Sequence, residues 1–262
     1  MKYMGGKYML KTKISSILKK YISPEEVDGY LEPFCGALNI IMEMNNHYNE
    51  CLASDYHPDL IQLWKEVQNE TFICPTEMNE TIYHECKNLK SPHSLKGFVG
   101  FSLSFGGKYF AGYADKYKND KKEDFLKEAT NSIKKIKPKI KNIKFNCCSY
   151  DSLNPTNKLI YCDPPYQVTN NPIKYRTDTK KYDTFDNKKF WNIMRQWSKN
   201  NYVFISETTA PNDFIPIWTN QTHRSASQSN KTRYKNDSNQ FITEKLFIHK
   251  NIYNKLNKIN LN

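Results

Sequence analysis

The 262-residue chain has no stretch near the roughly 18 consecutive apolar residues of a membrane span, and its opening, Met1-Lys2-Tyr3-Met4-Gly5-Gly6, has no apolar signal run. A membrane role is not expected. The seven cysteines, Cys35, Cys51, Cys74, Cys86, Cys147, Cys148 and Cys162, include no C-x-x-C pair and no histidine at metal-ligand spacing. That pattern excludes a zinc ribbon, predicts reduced thiols and no metal, and fits the cytoplasm best. Glycine is scarce, at nine residues, and neither G-x-G-x-x-G nor the phosphate-cradling G-x-x-x-x-G-K-[ST] occurs. Arginine is scarcer still: Arg176, Arg195, Arg224 and Arg233 are four of 39 basic residues.

What is abundant is lysine. The formal charge is +12 and the pI about 9.2, which points to a polyanionic partner such as nucleic acid. Lysine and asparagine excess also follows from an A·T-rich genome, so charge alone leaves a generally basic soluble protein open. The length suits one large α/β domain or one domain carrying an insertion.

Hydrophobic spacing predicts a helix over 12–22, a strand over 30–34, a helix over 38–44, a strand over 51–55 and a helix opening near Pro58 with Leu60, Ile61, Leu63, Trp64 and Val67 inside. This strand-turn-helix-strand order predicts parallel strands with a loop at their carboxyl edge, where open α/β sheets bind ligands. Further along come a helix over 123–136, a strand at 159–162, a helix over 187–199, and strands over 202–206, 222–228 and 241–249.

The most informative residues are Asp163-Pro164-Pro165-Tyr166, directly after the apolar run 159–162. Each proline fixes φ and carries no N–H. The Asp163 carboxylate and the Pro164 carbonyl can therefore accept from a planar amino group while the Tyr166 ring lies against its heterocycle. An exocyclic amine on a nucleobase fits. Asp-Pro-Pro also reads as a strand stop and turn opener.

A second constellation lies upstream. Gly36 and Asp55 are 19 positions apart, near the spacing of a glycine turn and a ribose-binding acid in nucleotide folds. Leu38 stands where a second glycine would let a pyrophosphate approach, and Glu32 would repel phosphates. A positively charged nucleoside such as S-adenosylmethionine suits these acids better. Local alternatives are a cap or ion pair for Glu32 and a helix N-cap for Asp55.

Taken in order, Gly5-Gly6-Lys7, Glu32-Pro33-Phe34-Cys35-Gly36-Ala37, Asp55, a long middle segment and Asp163-Pro164-Pro165-Tyr166 resemble the Dam-type DNA adenine-N6 methyltransferases, with phage-encoded members nearest in Ser104 to Phe110 and around Phe185-Asp186. The resemblance implies a Rossmann-like class I S-adenosylmethionine-dependent methyltransferase fold. A catalytic domain, 1–69 with 143–262, would be interrupted by a mainly helical target-recognition region, 70–142. It implies a cofactor site of Tyr3, Gly5, Gly6, Lys7, Glu32, Phe34, Cys35, Gly36, Ala37, Asp55 and Asp163, and a catalytic set Asp163, Pro164, Pro165 and Tyr166. The implied reaction is methyl transfer from S-adenosylmethionine to N6 of a flipped adenine in double-stranded DNA, in a bacterial or phage-infected cell. Tyr3 stands where the family usually has tryptophan. Resembling N4-cytosine enzymes usually carry serine in place of Asp163, and a catalytically silent DNA-binding protein of the same fold remains an alternative.

The recognition surface is expected to be basic. Residues 108–144 hold 12 lysines against five acids. The glycine-interrupted stretch 101–117 offers Phe105, Tyr109, Phe110 and Tyr113 with Lys108 and Lys116, about half of the aromatics being expected inside the core. Lys108, Tyr109, Lys116, Arg176 in the polar segment 167–186, and Lys231 and Arg233 in the hairpin 229–239 are the candidate DNA contacts.

Overall fold

The computed structural model describes residues 1–115, 117–118, 121–122, 124–165, 185–223 and 241–259. They form two compact units, one of Met1–Lys20 with Asp28–Leu153, the other of Tyr21–Val27 with Asn154–Asn262.

The first unit runs α1 (Lys11–Tyr21), β1 (Gly29–Glu32), α2 (Ile41–Met44), β2 (Cys51–Asp55), α3 (Pro58–Gln68), α4 (Glu80–Lys87), α5 (Ser94–Ser102), the short pair β3 (Tyr117–Lys118) and β4 (Lys121–Lys122), α6 (Phe125–Ile136) and β5 (Ile143–Cys147). The three long strands lie in the order β5-β2-β1, all parallel, with Tyr30 opposite Cys51 and Cys51 opposite Ile143. Every residue of β1 is buried, as expected of a strand covered on both faces. Pro58 sits in the first turn of α3, where its missing N–H costs nothing. Leu60, Ile61, Leu63, Trp64 and Val67 are all buried, as their spacing predicts.

Helix α5 carries two glycines that sequence spacing does not explain. A β-carbon at Gly97 would stand 2.3 Å from the Asp59 carbonyl oxygen, and one at Gly100 would stand 2.4 Å from the Tyr109 ring. Both glycines let this helix come close to its neighbours. Asn79 and Asp124 cap α4 and α6 by accepting from the Ile82 and Lys127 N–H groups, both at 2.9 Å, each cap being worth about 1 kcal/mol.

The second unit contains β6 (Lys158–Cys162), α7 (Asn187–Trp197), β7 (Tyr202–Glu207), β8 (Phe214–His223), β9 (Phe241–His249) and α8 (Lys250–Ile259). The strand order is β6-β7-β9-β8, parallel for the first pair and antiparallel for the other two. Phe190, Trp191, Met194 and Trp197 bury one side of α7, and β7 is buried throughout. Arg195 donates twice to Asp213, from Nε at 2.6 Å and Nη2 at 2.9 Å, tying α7 to the start of β8. The fold class is the expected one, α/β and Rossmann-like.

Two expectations are corrected. The helix expected over 38–44 is only Ile41–Met44, because Leu38 takes φ +61°, which no right-handed helix accommodates. The strand expected at 222–228 is β8, Phe214–His223, starting eight residues earlier. Among the described strands it pairs only with β9, and it carries Pro216 beside a register shift, so no clean alternation marks it. Helices α4, α5 and α8 and strand β5 are additional elements.

Candidate functional site

In the first unit the two acidic strand ends and the glycine turn converge on one another. After β1, the Cys35 N–H donates to the Ser54 carbonyl at 2.9 Å, and the Leu38 N–H donates back to the Cys35 carbonyl at 2.8 Å, closing a tight turn. Gly36 has φ +45°, and a β-carbon there would stand 2.9 Å from the Tyr3 ring. The Gly36 N–H donates to Asp55 Oδ2 at 3.0 Å. The Gly36 carbonyl accepts from the buried Trp64 indole at 2.9 Å. The turn is thus pinned from two sides. Leu38, fully buried, pays for it with a left-handed backbone costing roughly 1–2 kcal/mol.

Asp55 is half-buried. Besides Gly36 it accepts the His57 N–H at 3.0 Å. Helix α3 is capped at His57, so Asp55 is a turn-pinning acid rather than the helix cap. Burial raises its carboxyl above the ordinary value against the opposing backbone N–H groups of His57, Gly36 and Tyr56. A carboxylate has about four acceptor positions, so three such donors still leave room for a ligand hydroxyl. Glu32 is buried and accepts the Tyr30 hydroxyl at 2.6 Å.

Cys35 is buried, and its thiol is pushed well up by burial first and then by Asp55 and Glu32. It stays neutral and is a packing residue, not a nucleophile. None of the seven cysteines forms a disulfide. Ala37 is buried beside it, and Phe34 is half-buried.

The N-terminal segment closes around this turn. The Tyr3 ring lies 5.0 Å from Phe101, the Gly6 N–H donates to the Tyr3 carbonyl at 3.2 Å, and the Met4 N–H donates to the Gly107 carbonyl at 3.1 Å. Lys7 is buried, and its ammonium donates to the Gly5 carbonyl at 3.1 Å. The string Gly-Gly-Lys-Tyr occurs at 5–8 and 106–109, and the two copies are neighbours in space: a β-carbon on Gly107 would stand 2.7 Å from the Tyr3 nitrogen.

Sequence reasoning missed Tyr150. Asp55 pairs with Cys147 across β2 and β5, so the turn after β5 lies beside the acid, and the Tyr150 ring sits 5.2 Å from Phe34. Recognising β5 as a strand was the signal that would have found it. Tyr56, which follows Asp55, is 59 % exposed.

In the second unit Asp163, half-buried, follows β6 directly, and Pro164 is buried. The strand end is held firmly: the Tyr161 hydroxyl and Ser206 Oγ are 2.7 Å apart, and Cys162 Sγ lies 3.6 Å from Met194 Sδ. Tyr166, Lys116, Arg176, Lys231 and Arg233 lie outside the described residues, as do most of the segment 167–186 and the hairpin 229–239.

Of the remaining expected DNA contacts, Lys108 is exposed. Tyr109 is not at the surface: its ring is 9 % exposed and its hydroxyl donates to Asp59 Oδ2 at 2.6 Å. The reason is packing, because the glycine at position 100 opens a slot that the ring fills. Phe110 is buried too, Tyr113 is half-buried and Phe105 is 62 % exposed. Half of the four aromatics are thus inside. Among the described residues no group of three or more His, Cys, Asp or Glu side chains could hold a metal, and no helix is long and apolar enough to cross a membrane.

The profile of the family described as "D12 class N6 adenine-specific DNA methyltransferase" matches residues 3–106 and 96–244. The chain is 22 % identical over 197 residues to the Type II methyltransferase M.FokI of Planomicrobium okeanokoites, covering 64 % of this chain and 28 % of that protein. It is 23 % identical to the Type II methyltransferase M.MjaIII of Methanocaldococcus jannaschii, covering 71 % and 74 %. It is 26 % identical to the Retron Ec67 DNA adenine methylase of Escherichia coli, covering 61 % of each. For the first and third relatives the match spans less than two thirds of their length. Among solved structures, the rRNA methyltransferase aviRa from Streptomyces viridochromogenes aligns with a TM-score of 0.43 and 8 % identity over 95 % of this chain and 86 % of that one.

Proposed function

From the premise that this chain belongs to the D12 class N6 adenine-specific DNA methyltransferases, we propose that it transfers a methyl group from S-adenosylmethionine to N6 of an adenine flipped out of double-stranded DNA. The observation that carries this reading is the rigid acceptor ledge Asp163-Pro164-Pro165 at the carboxyl end of β6. Adenine N6 is a poor nucleophile because its lone pair is delocalised into the ring. Inside a duplex it also faces its partner. Flipping costs a few kcal/mol and brings the Watson–Crick edge to the enzyme. Asp163 and the Pro164 carbonyl accept the two N6 hydrogens and localise the lone pair, and Tyr166 stacks on the ring for about 1–3 kcal/mol. Positioning for in-line transfer supplies much of the rate.

The residues of the first unit suit the cofactor, which when bound supplies the electrophilic methyl group. Asp55 retains acceptor capacity for ribose hydroxyls, Glu32 favours a cation, and Gly36 keeps the turn free of a side chain where a nucleoside would pass. Tyr3, Gly5, Gly6, Lys7, Phe34, Cys35 and Ala37 form the rest of the proposed cofactor surface. The region 70–142 is the proposed target-recognition part, with Lys108, Lys116, Arg176, Lys231 and Arg233 as phosphate contacts.

The finer identity belongs to the same proposal: Dam-type motif order, likeness to phage-encoded members and action in the cytoplasm of a bacterium or its infected cell. A place in restriction-modification belongs to it as well, two relatives being named Type II methyltransferases. Methyl transfer from radiolabelled S-adenosylmethionine to DNA, followed by nucleoside analysis, tests the proposal. Label in N6-methyladenine is the expected result, and label in N4-methylcytosine or in no nucleoside overturns it.

A further inference from the structure

Asp59, at the start of α3, is buried and serves as a hub. Its Oδ1 accepts the His93 N–H at 2.7 Å. Its Oδ2 accepts the Ser91 hydroxyl at 2.9 Å and the Tyr109 hydroxyl at 2.6 Å. The Tyr109 ring packs 4.3 Å from His57 and 4.8 Å from Phe101. The His57 N–H is in turn held by Asp55. One residue before Tyr109 stands exposed Lys108, and Phe105, also exposed, opens the same loop. The loop therefore has an outer face with a cation and an aromatic, and an inner face bonded to the helix that follows the ribose-binding acid.

We infer that Tyr109 is a positioning residue: its bond to Asp59 makes the loop carrying Phe105 and Lys108 move together with the Asp55–His57 turn, so that cofactor and DNA each tighten the binding of the other. This rests on the proposed function, since it needs both ligands. A carboxylate accepting a phenol is a short, charge-assisted bond in a dry site, stiffer than ring packing alone. Ring packing lets a loop slide, whereas the bond fixes its register.

The test measures affinity for S-adenosylhomocysteine by calorimetry, with and without saturating random-sequence duplex DNA, in the wild-type chain, Tyr109→Phe and Ser91→Ala. Both variants delete one hydroxyl from the same Asp59 oxygen, but only the first belongs to the loop. In the wild type, DNA should tighten S-adenosylhomocysteine within the roughly 5–150-fold range usual for coupled sites. Tyr109→Phe should reduce that factor to less than about a third while each ligand alone binds within about threefold of wild type, and Ser91→Ala should keep it. Coupling retained in Tyr109→Phe, lost equally in Ser91→Ala, or absent from a wild type that binds both ligands overturns the inference. A wild type that binds neither ligand instead overturns the proposed function.

Discussion

Strands β2 and β6 end alike in sequence, each a mostly buried run closed by an aspartate, yet the two acids live differently. Asp55 is followed by residues that carry N–H groups, and its carboxylate takes that of His57, two positions on, together with that of Gly36. Asp163 is followed by two prolines, so neither of the next two residues can donate to it. The same pattern of apolar strand and terminal acid thus yields a structural acid that fixes a turn in one unit. In the other it yields an acid whose local backbone offers only acceptors. What decides between the two is the pair of residues after the acid, not the acid itself.

The largest effect should come from removing the second acid. Asp163→Ala should lower methyl transfer to adenine DNA by about 10²–10³, the usual cost of one preorganised polar contact, while S-adenosylmethionine binding survives in part. Turnover near wild type would erase the contrast between the two strand ends.

Asp55→Ala should instead weaken S-adenosylmethionine binding by about 1–3 kcal/mol in calorimetry. The same variant should alter the pH profile of unfolding. Burial raises the Asp55 carboxyl above its ordinary 3.8, so the folded protein holds a proton that the unfolded chain has released. This acid's contribution to stability is therefore greatest below the ordinary value and declines as pH rises through the raised one. Alanine removes that decline, and unfolding midpoints followed across that window would report it.

Gly36→Ala sharpens the same comparison, because it breaks the turn and leaves the acid in place. With φ +45° and the Tyr3 ring 2.9 Å from the new methyl, it should cost about 1–2 kcal/mol of stability. Its effect on cofactor affinity should go the same way as that of Asp55→Ala. Lys108→Ala, which adjoins neither acid nor the turn itself in sequence, should have the smallest effect: DNA affinity falls and the log–log salt slope flattens by about one unit, with the methylated sequence unchanged. An unchanged slope would remove Lys108 from the DNA surface.

How much of this could be read from residues alone varies with what fixes each element. Helices α3 and α7 and strand β2 announce themselves because burial on one side dictates their spacing. Helix α5 does not: Gly97 and Gly100 weaken its intrinsic propensity, and the gain that outweighs this is a close approach to Asp59, far away in sequence, and to Tyr109, in the irregular stretch that follows the helix. The edge strand β8 has no second neighbour among the described strands and tolerates Pro216. At the site, the acids and the glycine turn were legible as motifs because they are local. The inward turn of Tyr109 was not, since it depends on the slot that Gly100 opens and on Asp59 in α3, nor was the meeting of Tyr150 with Phe34, since it depends on β5 lying beside β2.

The two prolines after Asp163 also determine what the ledge refuses. A surface whose polar groups are all acceptors sorts its partners by sign. Guanine brings O6 and thymine brings O4 to the position of the adenine amine, and either would set acceptor against acceptor. Adenine at C6 and cytosine at C4 bring an amine to the position where guanine and thymine bring an oxygen, so under the proposed function the ledge would separate the first pair from the second by refusal, and the choice between adenine and cytosine would fall to the contacts made with the ring.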